Sequence, residues 1–240
     1  MNHEQEVNLL GELRGLRADL KAFCYRMSHD LQGSLRNIGG FVSLIEGRSG
    51  VQFDEKSKRY LSFVKEGTER AQALLHGLNE YADLLSEEWT LKTVSLEEAL
   101  QEALEELKPH LKKTRATINT QLCSVEIFGD IPLLKKAFKH VIENALLYVR
   151  NIPHISIVFE KKMAQYVVSV TDNGIGIPET YQKTVFEPFE RLHSSDQYPG
   201  VGLGLTIVKR IIEMHHGRIW VERNEDKPGT TVFWALPLRA

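Results

Sequence analysis

His29 stands beside Asp30 in the stretch FCYRMSHDLQGSL, Phe23 to Leu35, and is the first residue whose type and setting suggest chemistry. Later stretches carry more glycine and polar groups than folding requires. DNGIGIP, Asp172 to Pro178, follows a strand-like run and places Gly174 and Gly176 where the backbone can approach a ligand closely. GVGLGL puts Gly200, Gly202 and Gly204 at the opening of a helix, so free N–H groups and the helix dipole can meet phosphate oxygens. Asn144 precedes both, mid-helix among apolar neighbours and next to Glu143. Together these residues suit the binding of a phosphate ester and delivery of a phosphoryl group to a histidine. Alone, each has a plainer reading: turns need glycine, and a lone helical histidine is usually an inert surface residue.

The elements that must position these groups can be read from periodicity. Apolar residues fall at Leu13, Leu16, Leu20, Phe23, Met27, Leu31, Leu35, Ile38, Val42 and Ile45, in steps of three and four. This spacing predicts one long helix with a seam made for partner helices. Successive four-residue steps from Phe23 to Leu35 slip the heptad phase at His29, which relaxes a supercoil locally. At about 100° per residue Met27 and Leu31 point nearly together and His29 points away from them, so His29 is expected to face solvent. The helix should end near Gly47, where GRSG supplies turn residues, and Asp54 offers the N-cap of a second helix carrying Tyr60, Leu61, Val64, Leu75, Leu78 and Leu85. A single hairpin cannot bury two such stripes, so two copies are expected to associate as a four-helix bundle, a homodimer.

The helical pattern stops around Glu87 to Val94, and Ser95 with Glu98 then makes a capping box for a helix to about Lys113. Short β-rich runs follow at Thr117–Leu122 and Val125–Phe128, then a helix over Pro132–Val149. Strands at Ile155–Glu160 and Gln165–Thr171, a helix near Leu203–His215, and strands at Arg218–Glu222 and Thr231–Leu236 complete the pattern. Helices among mostly antiparallel strands predict an α/β sandwich with its sheet covered on one face.

Composition narrows the classes. Hydrophobic residues make up 42% and charged residues 26%, an ordinary soluble balance. No apolar run approaches the roughly 18 residues of a spanning helix, and MNHEQEVNLL lacks the features of a signal peptide, so the expected location is cytoplasmic, without membrane insertion. A net charge of −2 supplies no global field for nucleic acid. Cys24 and Cys123 suggest no disulfide framework or zinc cluster and read as buried small apolar residues. His215 and His216 lack an HExxH frame and read as a helix C-terminus rather than a metal site.

HVIENA, DNGIGIP, FEPF and GVGLGL resemble the N, G1, F and G2 boxes of the sensor histidine kinases, and SHDLQGSL resembles their H box. The likeness covers nearly the whole chain, and RLHSSDQYPG with SHDLQ is most similar to the phytochrome-type kinases, without a chromophore or upstream sensor domain here. The resemblance implies an α+β chain: a dimerisation and phosphotransfer domain over residues 1–88, a linker over 89–94, and a GHKL-type ATP-binding sandwich over 95–240. It implies ATP and Mg²⁺ as cofactors, with Asn144 on the metal, Asp172 accepting from the adenine amino group, Gly174 and Gly176 walling the adenine and ribose, and Gly202 and Gly204 cradling phosphates. Thr231 would help hold the purine, and Phe186 and Phe189 would flank a lid reaching Gly200. His29 would be the phosphoryl acceptor with Asp30 setting its tautomer, and the receiver domain of a response regulator would take the group onward.

Departures from the family pattern qualify that expectation. Ser34 replaces the proline that usually bends the helix, and Gly33 stands where relatives carry Thr or Asn to orient water, which predicts weak phosphatase activity. Leu147 replaces a frequent Lys or Arg near the phosphates, with Arg150 one turn on as a substitute. His140, four residues before Asn144, occupies the place where the ATP-hydrolysing chaperone and gyrase type carry a glutamate, and so argues against an ATPase. The rival readings are a non-enzymatic, dimeric nucleotide-binding scaffold and an ATPase of the same fold.

Overall fold

The computed structural model describes residues 3–47, 53–85, 89–192, 198, 200–224 and 227–238, with the backbone alone at 3, 4, 6, 7 and 10. The chain divides into two units, Met1–Glu87 and Glu88–Ala240.

The first unit is a helical hairpin of α1, His3–Glu46, and α2, Glu55–Asp83. Helix α2 starts where Asp54 accepts the Ser57 N–H at 2.8 Å, a side-chain cap on one of the free N–H groups of the first turn. The turn between the helices, from residue 48 to 52, lies outside the described residues. Apart from the buried Val42 and the half-buried Leu35, the leucine seam does not face α2. Small residues do: Cys24, Ser28 and Val42 are buried, and Gly39 lies so close that an added Cβ would stand 3.6 Å from Thr68 Cγ2. Leu13, Leu16, Leu20, Phe23, Met27, Leu31, Ile38 and Ile45 stay exposed, Leu16 at 67%, so within one chain the long stripe is uncovered. Near the far end of α2 the Tyr25 hydroxyl donates to Asp83 Oδ1 at 2.6 Å, with Lys21 Nζ 3.7 Å from the same oxygen. At the missing proline, Ser34 donates its hydroxyl to the Asp30 carbonyl at 3.4 Å, and the helix runs through.

The second unit packs α3, Leu96–Thr114, α4, Ile131–Leu147, and α5, Gly204–Met214, on a five-stranded sheet. Its order is β2 (Thr117–Gln121), β4 (His154–Lys162), β5 (Gln165–Thr171), β7 (Thr230–Pro237), β6 (Arg218–Arg223). The β4–β5, β5–β7 and β6–β7 pairs are antiparallel, while β2–β4 is parallel, which the crossover through α4 permits. A separate two-stranded ribbon joins β1, Lys92–Ser95, to β3, Glu126–Gly129. Lys92–Val94, expected in the linker, are therefore strand residues; four residues are too few to show alternation in the sequence. Residues 86–88 lie outside the described residues.

The core sits between the helices and one sheet face. Phe138 of α4 meets the Trp234 ring edge-on at 5.1 Å and stacks on Phe159 at 5.9 Å, and Phe138 and Trp234 are fully buried. On the other face Trp220 stacks on Phe233 at 5.2 Å, with the Arg218 guanidinium over the indole. Cys123 is half-buried and donates its thiol to the Phe159 carbonyl, a polar contact added to the apolar role expected for it. Among the described residues no helix is long and apolar enough to cross a membrane.

Candidate functional site

Asp172 ends β5 at a corner where the chain closes tightly. Its Oδ1 accepts the Gly174 N–H at 2.7 Å and the Thr230 N–H at 3.1 Å. Burial pushes the carboxyl above the ordinary aspartate range, and those two N–H bonds pull it back down. The second oxygen remains as an acceptor for a ligand donor. Gly229 makes the corner possible: its φ is +129° and an added Cβ would fall 2.0 Å from the Asp172 carbonyl oxygen. Asn224, which the sequence reading missed, donates its amide to that carbonyl at 3.1 Å and accepts the Thr231 hydroxyl at 2.8 Å. Thr231 lies 2.9 Å from Thr171 Oγ1, so its hydroxyl proton is committed to Asn224 and its oxygen to the strand neighbour. Gly229 and Asn224 sit in NEDKPG, which in sequence reads only as a turn.

The glycines predicted from the motifs differ in what requires them. At Gly174 a Cβ would come 2.4 Å from the Tyr148 carbonyl, because the loop caps the end of α4 through Ile175 N–H to Tyr148 O at 2.9 Å. Gly202 has φ +74° and its Cβ would meet the Phe189–Glu190 backbone at 2.8 Å. The Phe189 N–H bonds the Gly202 carbonyl at 2.9 Å, strapping the FEPF segment to the glycine loop, and Phe189 holds a left-handed φ of 66° while 55% exposed. Gly176, at φ +79°, approaches the Gly229 carbonyl.

Helix α5 begins at Gly204 without a side-chain cap, whereas α2, α3 and α4 are capped by Asp54, Ser95 and Asp130. Its first N–H groups are thus available to an anion. The buried Thr206 hydroxyl one turn in has no partner among the described residues. Gly204 brings this end against α4: a Cβ there would lie 3.6 Å from His140 Nδ1 and 3.8 Å from Asn144 Oδ1. Asn144 and His140 thus share one helix face beside the loop, and His140 Nδ1 stands 3.7 Å from Glu143 Oε2. Leu147 and Tyr148 line the other side, each 3.9 Å from where a Gly200 Cβ would be. Tyr148 packs against Tyr198 at 5.2 Å, and Arg191 donates to the Tyr198 carbonyl at 2.6 Å. Arg150 is exposed, and the lid residues 193–197 and 199 lie outside the described residues. These groups fit a nucleotide: glycine-lined backbone, a free helix N-terminus for phosphates, a carboxylate oxygen for a purine amine, and the Asn144 amide oxygen as a hard donor suited to Mg²⁺ held mainly by phosphates.

In the hairpin unit the His29 side chain is 86% exposed, and its Nδ1 lies 3.3 Å from Asp30 Oδ1. A proton on Nδ1 shared with that carboxylate leaves the Nε2 lone pair facing solvent.

Residues 129–240 match the family described as Histidine kinase-, DNA gyrase B-, and HSP90-like ATPase. Cyanobacterial phytochrome A of Nostoc sp. is 33% identical over 236 residues, covering 98% of this chain; the chain spans 31% of that relative's length. Among solved structures, a mycobacterial sensor histidine kinase, MprB, is 26% identical with a TM-score of 0.56 over 62% of this chain and 97% of its own. The histidine kinase ThkA, solved in complex with the response regulator protein TrrA, shares the fold over 99% of this chain and 67% of its own, at 21% identity and a TM-score of 0.64. Residues 129–240 thus belong to the histidine kinase-, DNA gyrase B- and HSP90-like ATPase family, and the relatives of the chain are sensor histidine kinases, phytochrome-type ones among them.

Proposed function

We propose that this chain is a kinase core that transfers the γ-phosphoryl group of ATP to His29 and passes it to an aspartate on the receiver domain of a response regulator. The observation that carries this reading is the uncapped start of α5, set among glycines and against Asn144, with Tyr148 reaching from the Gly200 end of that loop to Gly174 beside the half-buried Asp172 carboxylate. Asp172 takes the adenine amino group on its second oxygen. The α5 N-terminus and the Gly202–Gly204 backbone take the phosphates. Asn144 holds Mg²⁺, which when bound neutralises charge on the phosphate oxygens. Phe189, strapped to Gly202, borders the nucleotide. The Nε2 lone pair of neutral His29 forms the bond to phosphorus as the bond to the ADP oxygen breaks, and Asp30 keeps the ring proton on Nδ1. The exposed leucine seam of α1 is covered by a second copy, so the working form is a homodimer with its four-helix bundle. A kinase drawing on cellular ATP works in the cytoplasm. ThkA, captured with a response regulator protein, supports the choice of partner.

Incubation with γ-labelled ATP and Mg²⁺ tests the reading. Label that is acid-labile, base-stable and absent from His29→Ala is expected, and label that survives that change would sink the proposal. Nucleotide binding without histidine label would favour the scaffold, and steady phosphate release without phosphoprotein would favour the ATPase.

Asp172→Asn keeps an oxygen for the Gly174 and Thr230 N–H groups but sets an amide donor against the purine amine. Loss of one charge-assisted hydrogen bond, about 1.5–3 kcal/mol, predicts roughly a 10- to 100-fold weaker affinity for ATP with the fold retained. Because the carboxylate form binds and burial raises its pKa, wild-type affinity should fall on acidification earlier than an ordinary surface aspartate would dictate, and the Asn variant should be flat over the same range. Titration calorimetry across pH reads both, and an unchanged affinity in the variant removes Asp172 from the purine site.

Gly33 is half-buried, but an added Cβ there would meet nothing within 4 Å, so Gly33→Thr is accommodated. The wild type is expected to dephosphorylate its regulator slowly and Gly33→Thr faster, measured as loss of label from phosphorylated regulator. Equal rates would remove Gly33 as the cause.

A further inference from the structure

The His215–His216 pair had no part in the nucleotide site, yet His215 is 2% exposed and both of its ring nitrogens are bonded. Nδ1 donates to the Ile211 carbonyl at 2.7 Å, and Nε2 accepts the Asp130 N–H at 3.0 Å. The ring packs so closely on Gly129 that a Cβ there would fall 2.9 Å from His215 Cδ2. Asp130 is therefore gripped by the C-terminal end of α5. Its carboxylate is shared in two further directions: Oδ1 caps α4 through the Leu133 N–H at 3.1 Å, and Oδ2 accepts the Thr90 N–H at 3.2 Å. Thr90 lies in the segment that leads into the catalytic unit, just before β1, whose Lys92 pairs with Gly129.

Helices α4 and α5 run antiparallel and are joined at both ends. At one end Asn144 and His140 meet Gly204; at the other Asp130 meets His215. From Asp130 to Asn144 is about 21 Å of helix at 1.5 Å per residue, a rigid element able to carry a displacement. We propose that Asp130, seated by His215, is a positioning residue that couples the incoming segment at Thr90 to the nucleotide end of the α4–α5 pair. Movement of that segment repositions Asn144 against the glycine loop, and nucleotide binding in turn steadies the segment, as linkage requires. The inference rests on the nucleotide-binding part of the proposed function and not on phosphorylation of His29.

Amide hydrogen exchange of residues 89–95 in the full chain, with and without a non-hydrolysable ATP analogue and Mg²⁺, tests the coupling. In the wild type the analogue is expected to slow exchange there by about fivefold or more. Asp130→Asn keeps a good N-cap for α4 but turns an amide donor toward the Thr90 N–H, so it should bind the analogue and lose the slowing. Asp130→Ser, a cap too short to reach Thr90, should behave alike. Slowing that persists in both variants, or is absent from the wild type, overturns the proposal. Coupling in a chain whose His29 takes no label would keep this inference and reject the kinase reading instead.

Discussion

The catalytic unit depends on a backbone contact with no room for a side chain, where Gly229 passes under the carbonyl oxygen of Asp172. That approach lets the Thr230 N–H reach the Asp172 carboxylate and lets Asn224 tie the carbonyl to Thr231. A buried carboxylate carries a desolvation cost, and here two backbone donors offset part of it on one oxygen while the other is left to act. The Gly174 loop folds back onto the end of α4, and the FEPF segment is strapped to Gly202, so strand, helix and glycine loop share one short perimeter.

The hairpin unit is built on the opposite principle. His29 lies on an open helix face, positioned by little beyond Asp30, while the α1 side of the hairpin core is Cys24, Ser28 and Val42 and most of the large apolar side chains of α1 are exposed. Such a helix gains stability from partners.

Much of this was legible in the sequence because it is periodic or local. The steps of three and four marked α1, the Ser95–Glu98 spacing marked the start of α3, and alternation marked β4 and β5. The glycine motifs marked places where the backbone approaches too closely for a side chain, as at Gly174 and Gly202. What could not be read were contacts between distant residues: Thr90 and Asp130 are 40 positions apart, and Asp130 and His215 are 85 apart. Asn224 and Gly229 were hidden in a turn whose composition is ordinary, and β1 was too short to carry a pattern. The choice of Cys24, Ser28 and Gly39 for the hairpin interface also escaped the seam rule, because close helix approach favours small residues over leucine.

The most direct measurement is the identity of the atom that carries phosphorus. After incubation of the ¹⁵N-histidine-labelled chain with ATP and Mg²⁺, long-range proton–nitrogen NMR should show a single phosphorylated imidazole, at His29 and on Nε2, since Asp30 occupies Nδ1. Phosphorus on Nδ1, on another residue, or on none would contradict the account.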